Sequence, residues 1–383
     1  TLALYLAAAG FGEGQIGLLV SLTLAGDAGL SLWITTRADR LGRRRMLRLS
    51  AGLMALAGVT FALTDSYWLL LLAAIVGTLS PSGNEVGSFL PIEQASLAQT
   101  VSDGQRTSVF AWYNLAGSLA TAGGALAGGA AVQWLQGAAL PPLAGYRLVF
   151  MAYAALGLAL FGLFRRLSPA VEANGSTPVK GLLGLDRSQR RVLQLSALFA
   201  VDAFAGGLIV QSLVAYWFAV RFSVEPAGIG SIFFGANLFA GLSALAAARL
   251  AARVGLINTM VFTHLPANVL LMLLPLMPTL PLAVLVLLTR STLSQMDVPT
   301  RQSYVMAVVE PAERAAAAGV TGMTRTIAAA CSPLLTGLLL GNGWLSAPFV
   351  VAGGMKIVYD LALYRGFRRL RPPEEMRARS STN

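Results

Sequence analysis

The sequence predicts an all-α integral membrane protein built from two pseudo-symmetric halves. The composition is 56% hydrophobic and 12% charged, with a mean hydropathy of +0.67; that is about half the charge of an ordinary soluble domain. Apolar runs recur at about 20 residues, the length of helix that crosses a bilayer. The second half of the chain also repeats the first. Residues 16–42 lie over 229–255 at one constant offset, and PIEQASLAQTVSDGQR (91–106) lies over PTRQSYVMAVVEPAER (299–314) with proline, glutamine and the loop arginine coinciding. Parallel repeats of this kind are one way in which polytopic membrane bundles are assembled.

In chain order, spans are expected at 16–36, 47–64, 67–99, 107–136, 146–164, 191–220, 228–250, 256–277, 281–307, 315–341 and 344–366. These make about 11 complete spans, each near the bilayer-crossing length. The opening TLALYLAAAG has neither a basic leader nor a cleavage site, so it does not read as a signal peptide. It reads instead as the end of another apolar segment. Residue 191 opens the first span of the second half, and its counterpart would fall about 22 residues before Thr1, so the first span is expected to be truncated. The domains follow: an N-terminal bundle over 1–164, a polar central loop over 165–190, a C-terminal bundle over 191–366 and a charged tail over 367–383.

The net charge of +11 does not form one basic face of the kind that binds nucleic acid, and no nucleic-acid partner is expected. The loop arginines and lysines alternate instead. One side receives 37–48, Arg106, 165–191, Arg249, Arg253, Arg314 and Arg365 to Arg379, whereas the other has Arg147 and Arg221. Positive residues mark the cytoplasmic side, so both termini are expected there. The remaining four, Arg290, Arg301, Arg325 and Lys356, fall inside spans. A single cysteine, Cys331, excludes a disulfide framework, and a single histidine with no Cys/His cluster argues against a metal site. No cofactor is expected. No phosphate-cradling G-x-x-x-x-G-K-[ST] loop appears, and no nucleophile, histidine and acid converge, so neither an ATP-driven machine nor an enzyme is expected.

RADRLGRRRML (37–47) crowds its arginines into one short loop, where Gly42 permits a tight backbone. TTRADRLGRRR resembles the loop signature of the major facilitator superfamily of secondary transporters, Gly-x-x-x-Asp-Arg-x-Gly-Arg-Arg/Lys. Asp39, Arg40, Gly42, Arg43 and Arg44 match, and Thr35 replaces the usual glycine. The segments 91–106 and 299–314 resemble the family's Pro-x-x-Gln … Arg loops. The resemblance covers nearly the whole chain. It implies two six-helix bundles in a bacterial inner (plasma) membrane, working as a monomer among lipids. It further implies a small-molecule substrate moved by alternating access, with proton-coupled efflux antiport as the leading mode. A uniporter or symporter of the same fold, or a non-transporting receptor, are the alternatives. By the same resemblance, Asp39 would sit at the N-terminus of a helix in the opposite half, near Ala315–Gly319, and latch the cytoplasmic side. Gln99 stands where the family often has an acid.

Ionisable groups inside a membrane are costly, so each needs a partner, a watery cavity or a task. The candidates for a substrate cavity or proton coupling are Asp27, Glu93, Asp202, Asp297, Arg301 and Arg325, with Glu85, Arg290, Lys356 and Asp360 alongside. Glu93 and Arg301 occupy equivalent repeat positions, two residues after Pro91 and Pro299, and are expected to face each other, either as a static brace or as a switch. Asp297 with Arg301, and Lys356 with Asp360, are spaced for same-face pairs. Asp27 and Asp202 have no opposite charge within a turn of their own helices, which makes them and Glu93 candidate proton carriers. TLSPSGNEVGSFLPIEQ (78–94) should interrupt its span and wall a cavity. The glycines at 117, 123, 124, 128 and 129 are expected to pack helices, and His264 to be hydrogen-bonded inside the bundle.

Overall fold

A computed structural model describes residues 2–79, 89–90, 92–93, 96–97, 103–137, 141–172, 188–310, 313–368 and 370 of the chain, without the side chains of some helical residues. The described residues form helices and turns and no strand. In order the helices are α1 (Leu2–Ala8), α2 (Glu13–Leu41), α3 (Arg43–Leu63), α4 (Tyr67–Val76), α5 (Asp103–Gly137), α6 (Pro142–Arg165) and α7 (Gln189–Leu208). There follow α8 (Gln211–Phe222), α9 (Pro226–Val254), α10 (Leu256–Leu273), α11 (Leu280–Ser294), α12 (Asp297–Val308), α13 (Arg314–Gly341) and α14 (Ala347–Phe367). Among the described residues nine helical stretches are long and apolar enough to cross a membrane, and the protein is an integral membrane protein.

Three expected spans differ in detail. The run over 281–307 divides into α11 and α12 because Pro299 follows: its ring displaces the carbonyl four residues back, at Gln295, where the first helix stops. The run over 191–220 divides at Ile209, two residues after the Gly206–Gly207 pair. In the run over 67–99 the helix α4 stops at Val76, while residues 80–88, including Glu85, lie outside the described residues.

The chain forms two compact units: Thr1–Pro178 with Val210–Phe234 and Ala330–Gly343, and Val179–Ile209 with Gly235–Ala329 and Trp344–Asn383. Within the first, α3 and α6 cross where side chains are absent. A β-carbon at Gly58 would lie 2.8 Å from the Phe150 carbonyl oxygen, and one at Gly157 would lie 2.8 Å from the Ala55 nitrogen. Small residues permit this approach between membrane helices. Tyr5, Phe61 and Phe150 fill the adjoining core, and the Tyr5 hydroxyl donates to the Phe61 carbonyl at 2.9 Å.

Two further crossings explain why this unit gathers the start of α9 and the end of α13. A β-carbon at Gly17 would meet Gly337 Cα at 2.8 Å, and one at Gly230 would meet Gly129 Cα at 3.2 Å. Gly17 and Gly230 are equivalent positions of the repeat, and Gly129 and Gly337 are separated by the same offset that relates 91–106 to 299–314. The two crossings are therefore copies of one contact. Among the glycines expected to pack helices, Gly129 does so, whereas Gly117, Gly123 and Gly124 have nothing within 4 Å. Beside the first crossing, the Leu334 amide, next to Pro333 in α13, donates to Ser21 Oγ at 2.7 Å. In the second unit α10, α14 and α7 pack together around Phe199, Tyr304, Tyr359 and Phe367.

Replacing Gly337 by leucine places a branched side chain against backbone. It should destabilise the protein by at least about 1–3 kcal/mol, the usual cost of overpacking. Thermal melts in detergent would read this as a lower transition temperature than for a leucine at Gly354, which has open space.

Candidate functional site

The arginine loop between α2 and α3 turns on Gly42, whose φ of 98° is a conformation that L side chains rarely adopt. Gly255, its repeat counterpart, has φ 90° between α9 and α10. The two loops share a backbone although most of their side chains differ. The start of α3 has free amide groups and the positive end of a helix dipole, and Glu172 answers both. Its carboxylate accepts from the Arg43 amide at 2.7 Å and the Arg44 amide at 3.4 Å. Arg43 is buried and donates to the Val171 carbonyl at 3.3 Å, while Arg44 donates to the Arg165 carbonyl at 3.1 Å. Position 99, where the resemblance would place an acid, holds Gln99; the acid beside these arginines comes from the central loop, just after a short 3-10 turn at Pro169–Val171. The expected contacts of Asp39 and Arg40 lie outside the described side chains.

The first unit holds two further candidates, Glu93 and Asp27. Glu93 accepts a hydrogen bond from the Tyr113 hydroxyl. Asp27, half-buried, lies near Tyr153, whose hydroxyl donates to the Thr78 carbonyl.

The second unit brings its charges together. Asp202, on α7 and 3% exposed, is gripped by cations from three other helices. Lys356 Nζ of α14 lies 2.5 Å from Oδ1, Arg325 Nη1 of α13 lies 2.9 Å from Oδ2, and Arg301 Nη1 of α12 lies 3.5 Å from Oδ2. Arg301 also reaches Asp297 Oδ2 at 2.5 Å, the same-helix pair that the spacing predicts. The spacing also predicts a Lys356–Asp360 pair, and this one is replaced. Lys356 is held by Asp202, while Asp360 Oδ1 lies 2.9 Å from His264 Nδ1 and Oδ2 accepts from Asn268 Nδ2 at 2.9 Å. The other nitrogen of His264, Nε2, is 4.0 Å from Asp202 Oδ1. The imidazole thus stands between two carboxylates, a position from which it could pass a proton. Arg301 and Glu93, expected to face each other, each have partners within their own units: Asp297 and Asp202 for Arg301, Tyr113 for Glu93.

Sequence reasoning missed Glu172 and the union of Asp202 with Lys356, because both bring together residues more than a hundred positions apart. A signal was present: every cation inside a span belongs to the second half, so an acid of that half should be their partner.

Tandem helical repeats in a membrane, with an ionic cluster buried in one unit, define a polytopic membrane protein of the two-half kind. The family model described as Major Facilitator Superfamily matches residues 1–291 and 195–383, and the chain belongs to that family. It is 29% identical to an uncharacterized membrane protein of Saccharomyces cerevisiae, YJR124C, over 94% of this chain and 88% of the other. Its fold is similar to that of the nucleoside transporter NupG, with a TM-score of 0.69, 17% identity, and coverage of 96% of this chain and 93% of that one. It is similar also to the xylose transporter XylE from E. coli, with a TM-score of 0.71, 13% identity, and coverage of 93% and 86%. The fold is that of the superfamily's transporters.

Replacing Glu172 by alanine removes the acceptor over the first turn of α3. Hydrogen exchange at the Arg43 amide should then accelerate about tenfold or more, the loss of a charge-assisted bond. Exchange in the middle of α3 should not change.

Proposed function

We propose that this protein is a secondary active transporter that moves a small solute by alternating access and couples it to protons at the Asp202 cluster. The observation that carries the reading is the cluster itself. A carboxylate shared by three cations on three helices is far from the minimum that anchoring would require, and breaking any one contact frees a charge inside the bundle. Protonation of Asp202 would release cations on α12, α13 and α14 together. His264 and Asp360 would offer the proton a route away. The helix breaks at Ile209 and Gln295 expose backbone groups, which membranes tolerate against protein or water.

The two sequence repeats, 1–164 and 191–366, would be the bodies that move, with the glycine crossings as one closure and the Asp39 loop as the other. The named structural neighbours carry a nucleoside and a sugar, which supports a small solute as cargo. The arginine distribution supports a topology with both ends in the cytoplasm. Efflux antiport would require substrate and proton to compete for one group.

Reconstitution into proteoliposomes with an imposed pH gradient tests the reading. A solute should cross faster with the gradient than without it, and Asp202→Asn should abolish that dependence. Flux that ignores the gradient would leave transport standing and remove coupling. Specific binding of a solute that never crosses would favour a receptor.

A further inference from the structure

The charges around Asp202 do not cancel. Among the described residues the cluster has three carboxylates and three close cations: Arg301, Arg325 and Lys356 pair with Asp202 and Asp297, while Asp360 is held by His264 and Asn268. Arg290, from α11, adds a fourth cation: it is close enough to Asp297 to interact with its charge, and its Nε has no hydrogen-bond partner. With His264 neutral the cluster has one positive charge in excess. An uncompensated charge inside an apolar bundle is costly, and an anion is its natural counterpart.

The cluster also has one reachable edge. The side chain of Arg325 is 28% exposed, whereas those of Asp202, Arg301 and Lys356 are 9% exposed or less. Arg325 donates through Nη1 to Asp202, leaving the rest of its planar fork for a bidentate partner. Turning Arg325 toward an incoming anion would not strand Asp202, which keeps Lys356 at 2.5 Å and Arg301 at 3.5 Å.

We infer that the cluster is the binding site of an organic anion, a carboxylate or a phosphate ester, which docks on Arg325 and enters together with a proton. This deepens the transporter reading and rests on it. The shared proton follows from the sign of the charges. Added negative charge favours protonation of nearby groups, so anion and proton bind together rather than compete. The groups that share that field are Asp202, His264 from α10, Arg290 from α11, Asp297 and Arg301 from α12, Arg325 from α13, and Lys356, Tyr359 and Asp360 from α14. The mode is symport.

Solute pools offered to proteoliposomes of the full chain decide the matter: gluconate and glycerol 3-phosphate as anions, glucose and uridine as neutral solutes, choline and spermidine as cations. An anion should accumulate, about tenfold faster with an acid exterior, and the medium should become alkaline as it enters. Gluconate against glycerol 3-phosphate distinguishes carboxylate from phosphate recognition. Arg325→Gln should cut uptake about tenfold at low anion concentration, a typical loss for one charged contact, and Arg325→Lys should retain part of it. Accumulation of a neutral or cationic solute without any anion overturns the anion assignment and leaves the transporter reading intact. No movement from any pool overturns both. Anion entry slowed by an acid exterior overturns the shared proton, and entry unchanged in a folded Arg325→Gln protein overturns the docking role. If that variant does not fold, the wild-type pools decide the anion class alone.

Discussion

A carboxylate in the middle of an apolar helix is tolerated only on strict terms, and the second unit is arranged around meeting them at Asp202. Desolvating one ion costs several kcal/mol even after relaxation, so the group must be surrounded by opposite charge. Lys356, Arg325 and Arg301 do this from three separate helices, and each brings its helix to a fixed distance from α7. The second tier follows from the first. Arg301 is aimed by Asp297 one turn before it, and His264 is aimed by Asp360, which Asn268 holds from the other side. Arg301 also lies over the Phe199 ring at 5.7 Å, so the guanidinium is oriented by packing as well as by charge. Such a network is rigid while every charge is present and loose once one is neutralised. That property makes it suitable for coupling, and an apolar core would lack it.

The first unit follows a different rule. Its contacts depend on the absence of side chains: Gly58 with α6, Gly157 with α3, and the paired crossings at Gly17 with Gly337 and Gly129 with Gly230. Contacts made by backbone alone slide and separate with little loss of electrostatic energy. The repeat reproduces its backbone at Gly42 and Gly255 and its crossings at equivalent glycines, but the buried charges among the described residues concentrate in the second unit. Symmetry governs the backbone of the loops and crossings, and the buried charges depart from it.

What the sequence discloses follows the same division. Hydropathy, the arginine count and the repeat are properties of whole segments, and they give the fold class, the spans and the special backbone of Gly42. Asp297 with Arg301 is legible because a helix brings residues four apart onto one face. Lys356 with Asp360 has the same spacing and does not pair, because Asp202 from another helix competes for the lysine with better geometry. Glu172 is hidden for a related reason. A carboxylate in a polar loop looks solvated, and only the fold brings it over the first turn of α3. The expected pairing of Glu93 with Arg301 rests on repeat equivalence, which fixes backbone position and not side-chain partner.

The central claim is that Asp202 and its cations act as one unit, and a double-mutant comparison reads this directly. Melting temperatures in detergent would be measured for Asp202→Asn, Lys356→Met and the two together. Asp202→Asn strands three cations at once, a loss of at least about 3–5 kcal/mol as for a broken buried pair, whereas Lys356→Met leaves Asp202 with Arg325 and Arg301 and should cost less. The double variant removes one charge of each sign, so it should be more stable than Asp202→Asn alone and lose less than the sum of the two single changes. Losses that simply add, within about 0.5 kcal/mol of independence, would show that the two residues do not depend on each other and would contradict the account.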